Sequence, residues 1–337
     1  MKKLLRIRNF NIGEGNKTFV IAEIGINHHG NFEKCKKLIK AASKCGADAA
    51  KIQLVSVYES YEKKTTSFNE FKDKNFSDDQ LRELKKYAEK NNILFFATPG
   101  DISSLKRLLK LKFEVIKISS GLSNNFPLIR EGIKSKKILI ISTGMSNKTD
   151  LMELRSFLNK FKFKKVVILK CVSNYPTLQD DVNLNSILFL KRIFNLNVGY
   201  SDHTLGDIAV LSAVSLGACV IEKHFTLNKR LKGADHKISM EPKEFKDLIK
   251  KIRTIERIKG KQDKIISKDL LNSRWKNFRY LVSKNDIRKG EKFSLKNIIF
   301  KRQKKTAGLL PKVFFKIEGK KAKTKIKKNR LIKITDF

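Results

Sequence analysis

The chain has 337 residues, with 74 Lys or Arg against 33 Asp or Glu, a formal net charge of +41 and four cysteines. That length supports one large core and a smaller second domain. No run approaches the roughly 18 apolar residues of a membrane span, and Cys35, Cys45, Cys171 and Cys219 show no CxxC spacing, which argues against a finger-type zinc site and a disulfide framework.

The first 260 residues alternate short apolar runs with longer amphipathic stretches. The runs are Phe19–Glu23, Ala49–Gln53, Leu94–Thr98, Val115–Ser119, Ile138–Thr143, Val166–Cys171, Asn197–Ser201 and Val220–His224. Short and mostly rich in Ile, Val, Phe or Ala, they read as buried parallel strands. Between them Asn31–Cys45, Asp78–Asn91 and Gly206–Gly217 read as helices, with Ser77 or Asp78 able to cap the second. Pro242–Lys259 follows the eighth strand with Pro in the favoured first turn. Eight strand–helix units in about 260 residues predict a closed (β/α)8 TIM barrel over residues 1–265. An open doubly wound sheet would more usually carry GxGxxG after its first strand, and Gly25-Ile-Asn-His-His-Gly30 is not that pattern. Residues 266–279 read as a linker, and 280–337 as a small β-rich domain of short runs broken at Asn285–Gly290 and Gly319–Asn329.

Polar residues collect at the C-terminal ends of the predicted strands, the face on which such barrels build active sites. Glu23, Lys51 and Gln53, Thr98, Lys117 with Ser120, Ser142, Ser173 with Tyr175, Ser201-Asp202-His203, and Glu222 with His224 all fall there. Stability alone would not put ionisable groups at the same end of most strands. His203 and His224 follow adjacent strands, and two imidazoles with oxygen ligands and water suit a divalent ion such as Mn²⁺. Lys51 and Lys117 lie inside apolar strands, where a charge must find a partner. With Thr98, Ser120, Ser142 and the nearby glycine turns they form an anion-binding set. Glu23 and Glu222 are acid–base candidates; orientation of the histidines is the other reading, and the residues alone do not separate the two.

Ile21-Ala-Glu-Ile-Gly-Ile-Asn-His28 with Gly30, Lys51-Ile-Gln53, Ala97-Thr-Pro99, Lys117-Ile-Ser-Ser-Gly121, Ser142-Thr-Gly-Met145, Tyr175-Pro-Thr177, Gly199-Tyr-Ser-Asp-His-Thr204, Glu222-Lys-His-Phe-Thr226 and Gly233-Ala-Asp-His-Lys237 run in order through the whole barrel. Together they resemble the sialic acid synthases. The tail, with Asp286-Ile-Arg-Lys-Gly290 and Lys301-Arg302, resembles the antifreeze-like (SAF) domain that follows the barrel in that family.

The resemblance implies condensation of phosphoenolpyruvate with an N-acyl hexosamine of the N-acetylmannosamine type, giving a nine-carbon sugar acid and phosphate. It implies His203 and His224 as ligands of a metal, Mn²⁺ foremost with Mg²⁺ or Co²⁺ as substitutes. Lys51, Thr98, Lys117, Ser120, Ser142 and Ser173 would hold phosphoenolpyruvate; Gln53, Tyr175 and Asp235 would contact the sugar. Arg302 would reach the sugar's N-acyl group from the partner of a domain-swapped homodimer. The sequence departs from the family pattern at Gly100, where Phe is expected, at Ser173, where some members have Asn, and in the tail at Tyr280 and Gln303.

Sibling synthases acting on 2,4-diacetamido-2,4,6-trideoxy hexoses, which make legionaminic or pseudaminic acid, are the nearest alternative. A basic polyanion-binding protein on a degenerate barrel is a remoter one. Only 15 of the 74 basic residues are Arg, and the excess, 25 basic against 6 acidic residues after position 260, has no aromatic-interleaved binding motif. A solvated Lys-rich surface without a specific nucleic-acid partner is expected. The start, Met1-Lys-Lys-Leu-Leu, lacks the apolar stretch of a secretory signal, so a cytoplasmic, reduced protein with no membrane association is expected.

Overall fold

The computed structural model describes residues 4–260, 263–303 and 308–337. The chain divides into two units, Met1–Gly260 and Lys261–Phe337.

In the first unit a short antiparallel hairpin, β1 (Leu5–Ile7) and β2 (Phe10–Ile12), precedes the barrel. The barrel strands are β3 (Phe19–Gly25), β4 (Ala49–Leu54), β5 (Leu94–Pro99), β6 (Val115–Ile118), β7 (Ile138–Ser142), β8 (Val166–Lys170), β9 (Asn197–Asp202) and β10 (Val220–His224). Each pairs in parallel with the next, and β10 closes onto β3 with Val220 beside Phe19 and His224 beside Glu23. Apart from Gln53 in β4, every residue of these strands is buried. The reason is geometric: one face of each strand fills the barrel and the other lies under the helices, so neither face meets water.

Local chemistry sets the helix ends. The helix Phe32–Cys45 starts where the Asn31 side chain accepts from the Lys34 amide at 2.8 Å, and it stops at Gly46, whose φ of +89° a side chain would resist. Ser77 and Gln80 form a reciprocal cap on Asp78–Lys90. The helix expected over Gly206–Gly217 covers only Ile208–Ser215, because both flanking glycines have positive φ. Two short helices not read from the sequence, Val57–Ser60 and Thr66–Phe71, fill the connection from β4 to β5.

In the second unit the stretch expected as a linker forms a helix, Lys268–Asn277, whose first turn the Ser267 hydroxyl caps. It is followed by β11 (Tyr280–Ser283) and β12 (Ile298–Lys301), an antiparallel pair extended by single bridges from Val282 to Leu331 and from Ile287 to Ile326. Leu281, Ile287, Phe293, Ile298, Phe314, Ile317, Ile326 and Ile332 are among the residues that make its own small core. Among the described residues no helix is long and apolar enough to cross a membrane.

Candidate active site

All eight barrel strands run the same way, so their C-terminal ends share one mouth. At its floor four charged side chains meet. Lys51 Nζ lies 2.6 Å from Glu23 Oε2 and 3.6 Å from Glu222 Oε2, and Lys117 Nζ lies 3.2 Å from Glu222 Oε1. All four are at most 6 % exposed. Lys51 also donates to Thr98 Oγ1 at 2.9 Å, Ser201 to Glu222 Oε1 at 2.9 Å, and Gln53 to Glu23 Oε1 at 3.3 Å.

This arrangement treats the two acids differently. Burial would raise Glu222, but Lys117 and Lys51 together hold it well below the usual carboxylate range. Burial raises Glu23 above that range, against the pull of Lys51 and with the charge of Glu222 adding to the rise. The two lysines part as well. Burial works against the charge of Lys51, yet Glu222 and Glu23 outweigh it and lift its pKa; for Lys117 burial prevails and the pKa falls. Glu222 is therefore the acid held as an anion between the two lysines, and Glu23 the one whose carboxyl burial shifts toward its protonated form.

Beside the lysines the hydroxyls line a cradle. The Gly144 amide donates to Ser120 Oγ at 3.0 Å, and the Ser142 hydroxyl is buried without a hydrogen-bond partner. A Cβ on Gly144 would stand 2.6 Å from Ser173 Oγ, 2.9 Å from Ser120 Oγ and 3.0 Å from Cys171 Sγ. The glycine lets three polar side chains converge on its backbone. Hydroxyls gathered beside two ammonium groups are the kind of donors that an anion's oxygens require.

His203 and His224 stand across the mouth with ring centroids 5.4 Å apart. His203 Nδ1 faces the Val172 carbonyl at 2.6 Å; the proton sits on that nitrogen, which leaves Nε2 a free lone pair. His224 is fully buried with Nδ1 lacking a hydrogen-bond partner, and burial followed by the nearby His203 keeps it neutral. Cys171 Sγ approaches His203 Nδ1 at 3.8 Å; despite burial, this contact and the Val172 carbonyl raise the pKa of His203. Two buried imidazoles, one with its tautomer fixed by a carbonyl, fit a divalent cation as a pair of ligands with the remaining positions left to oxygen. Among the described residues no group of three or more His, Cys, Asp or Glu side chains is set to hold a metal.

The residues expected to contact a sugar lie beside the same histidines. Tyr175 is half exposed and stacks on His203 with centroids 4.1 Å apart. Asp235 Oδ2 lies 3.7 Å from His224 Nδ1, and burial pushes this carboxyl up to about 6. Gly100 follows β5 with a Cβ position only 2.7 Å from Val55 Cγ2, so a larger residue there would displace Val55. The barrel thus brings together Glu23, Lys51, Gln53, Thr98, Lys117, Ser120, Ser142, Ser173, Tyr175, His203, Glu222, His224 and Asp235. Arg302 belongs to the second unit, exposed just after β12.

Ser201, expected at a strand end without a role, and Cys171, given no place in the site, both prove to touch its members. Ser201 holds Glu222, and Cys171 touches His203; both stand at strand ends, the signal that could have singled them out.

The NeuB family model matches residues 38–264, and the SAF domain model matches residues 278–337. The chain is 39 % identical to the N,N'-diacetyllegionaminic acid synthase of Campylobacter jejuni, over 94 % of this chain and 99 % of that one. It is 32 % identical to the human N-acetylneuraminate-9-phosphate synthase, over 92 % and 90 % of the two chains. The crystal structure of the N-acetylneuraminic acid synthetase of Leptospira borgpetersenii superposes with a TM-score of 0.78 at 34 % identity, covering 81 % of this chain and 96 % of that chain.

Proposed function

The chain belongs to the NeuB family and is an enzyme that makes a sugar acid, and from that premise we propose that it condenses phosphoenolpyruvate with the open-chain form of an N-acylated amino hexose. The observation that carries the phosphoenolpyruvate half is the pair of buried lysines sharing Glu222 beside the Gly144 cradle. A phosphate and a carboxylate carried on one enol carbon match two ammonium groups with hydroxyl donors beside them.

The residues divide the work as follows. Lys51, Thr98, Lys117, Ser120, Ser142 and Ser173 hold phosphoenolpyruvate, with Glu222 fixing the two lysines. Gln53, Tyr175 and Asp235 orient the sugar so that its aldehyde carbon meets the methylene carbon of phosphoenolpyruvate. A divalent cation on His203 and His224, Mn²⁺ foremost with Mg²⁺ or Co²⁺ as substitutes, would polarise the aldehyde as a Lewis acid. As the new carbon–carbon bond forms, the aldehyde π pair moves to its oxygen, which takes up a proton to become a hydroxyl, and an oxocarbenium-like centre is left at the enol carbon. Glu23 takes a proton from the water that adds there; its raised pKa makes it the stronger base of the two acids. The adduct then loses phosphate by cleavage of the bond between that carbon and the phosphate oxygen. Arg302, supplied by the second copy of a domain-swapped homodimer, contacts the N-acyl carbonyl, and the enzyme works in the cytoplasm.

Two sugar classes fit this scheme. N-Acetylmannosamine is one, and the 39 % identity to a legionaminic acid synthase supports a 2,4-diacetamido-2,4,6-trideoxy hexose as the other. Purified protein given phosphoenolpyruvate, Mn²⁺ and each sugar in turn should release phosphate and yield the nine-carbon acid, and a chelator should stop it. Silence with every sugar would overturn the proposal and favour a polyanion-binding protein on an idle barrel.

A further inference from the structure

We propose that Asn27 and His29, in the loop after β3, are positioning residues that hold the sugar-side carboxylate Asp235 over the mouth. The inference rests on the reading of Asp235 as a sugar contact.

Two separate tethers reach the segment that carries Asp235. The first starts at Asn27, whose buried Nδ2 donates to the Phe225 carbonyl and to Ser239 Oγ, each at 3.0 Å. Ser239 Oγ in turn donates to the backbone carbonyl of Asp235 at 2.6 Å. The second starts at His29, whose Nε2 faces Nε2 of His236 at 2.8 Å with the rings stacked 15° from parallel. His236 Nδ1 continues the chain to Thr226 Oγ1 at 2.8 Å. A neutral imidazole offers one donor and one acceptor, so one proton passed in either direction satisfies every member of this chain. Burial, then the nearby Lys34 and Lys74, hold both imidazoles below the ordinary histidine value and keep the pair neutral.

The segment is shaped to this seat. Gly233, at φ +145°, lies so close that a Cβ would stand 2.9 Å from His236 Cδ2 and 3.3 Å from His29 Cε1. Asp235 is thereby caught between its own anchored carbonyl and the clamped ring of its neighbour. Its carboxylate is left pointing across Gly25, whose Cβ position is 2.9 Å from Asp235 Oδ2. A carboxylate on a connecting segment of this length would otherwise sample many positions, and a displacement of about 1 Å can cost a bound substrate roughly a hundredfold.

The test uses the full chain and a split of kinetic constants. With N-acetylmannosamine and 2,4-diacetamido-2,4,6-trideoxy hexoses in parallel, His29→Ala should raise the KM for the sugar turned over by roughly tenfold. The KM for phosphoenolpyruvate should stay within about twofold, because no tether touches that side. His29→Gln, which restores a donor and an acceptor, should recover most of the loss. Ser239→Ala, which removes a single oxygen, should give the same split and stands in if His29→Ala does not fold. Asp235→Asn is the reference. If it raises the sugar KM while folded His29→Ala and Ser239→Ala do not, the positioning role is wrong and the sugar role of Asp235 survives. If Asp235→Asn itself leaves the sugar KM unchanged, both fall together.

Discussion

Asp202 and Lys223, the residues just before the two histidines, form an ion pair between the ends of β9 and β10 with side chains 0 % and 1 % exposed. Every acceptor site on the carboxylate is used: Tyr200 Oη donates at 2.8 Å, the Thr204 amide at 3.0 Å and the Thr204 hydroxyl at 3.1 Å. Lys223 also reaches the Thr204 carbonyl, so His203 sits between two residues held from the neighbouring strand. Lys223→Met should destabilise the protein by about 3–5 kcal/mol, because it strands a buried charge. The double variant Asp202→Asn, Lys223→Met should regain most of that. Urea unfolding checks both, and equal stability of the single variant and the wild type would show that the pair is dispensable.

The environment of Glu23 sets a pH dependence. Its pKa is raised by burial, and a base acts only when ionised, so the rate should climb with pH through an apparent pKa above the ordinary carboxylate range. Glu23→Gln should remove that limb from the kcat/KM profile and lower kcat by roughly 10²–10⁴. A profile unchanged in shape in Glu23→Gln would assign the proton transfer elsewhere.

The Gly144 cradle predicts a substrate-selective defect. Gly144→Ala places a methyl against Ser173, Ser120 and Cys171. The loss of about 1–3 kcal/mol of binding should appear as a rise of roughly five- to hundredfold in the KM for phosphoenolpyruvate. The sugar KM should barely change, and steady-state kinetics with each substrate varied in turn separates the two.

His203→Ala should abolish turnover and weaken Mn²⁺ binding by at least about tenfold, read by titration of the protein with the ion alone. Binding should also weaken as pH falls, since a ligating imidazole must give up its proton and His203 holds one more tightly than an ordinary histidine. Near-normal activity in His203→Ala would refute a metal role for this residue.

Arg302 can be tested by complementation. Mixed with His203→Ala protomers, Arg302→Ala protomers should recover activity above either parent, towards about a quarter of the wild-type rate if subunits mix at random. Arg302 acting on its own barrel would give no recovery.

The barrel was legible because buried parallel strands leave one kind of trace, an apolar run ending in polar residues. Lys51 and Lys117 stood out for the same reason: each interrupts such a run, and the mouth explains both. Other features depend on contacts that no local pattern carries. Gly100 looks like a lost aromatic residue until Val55, 45 positions earlier, is seen to fill the space. The helix Lys268–Asn277 lies in the stretch expected as a linker, and none of its described residues is buried to leave an apolar pattern. The partners of Cys171 and Ser201 come from neighbouring strands, 32 and 21 residues away, so only the closed barrel brings each to its contact.

The closing pair of the barrel has a consequence for how the protein is made. β3 and β10 meet edge to edge, with Glu23 in register with His224 about two hundred residues later. Until the ribosome has released the last of these strands, the first has an open edge and the mouth lacks its far wall. Glu222 and His224 arrive with the final barrel strand. Loop closure over so long a separation is slow. A nascent chain therefore lacks a complete mouth through most of its synthesis, and the mouth forms in one event when the seam zips shut.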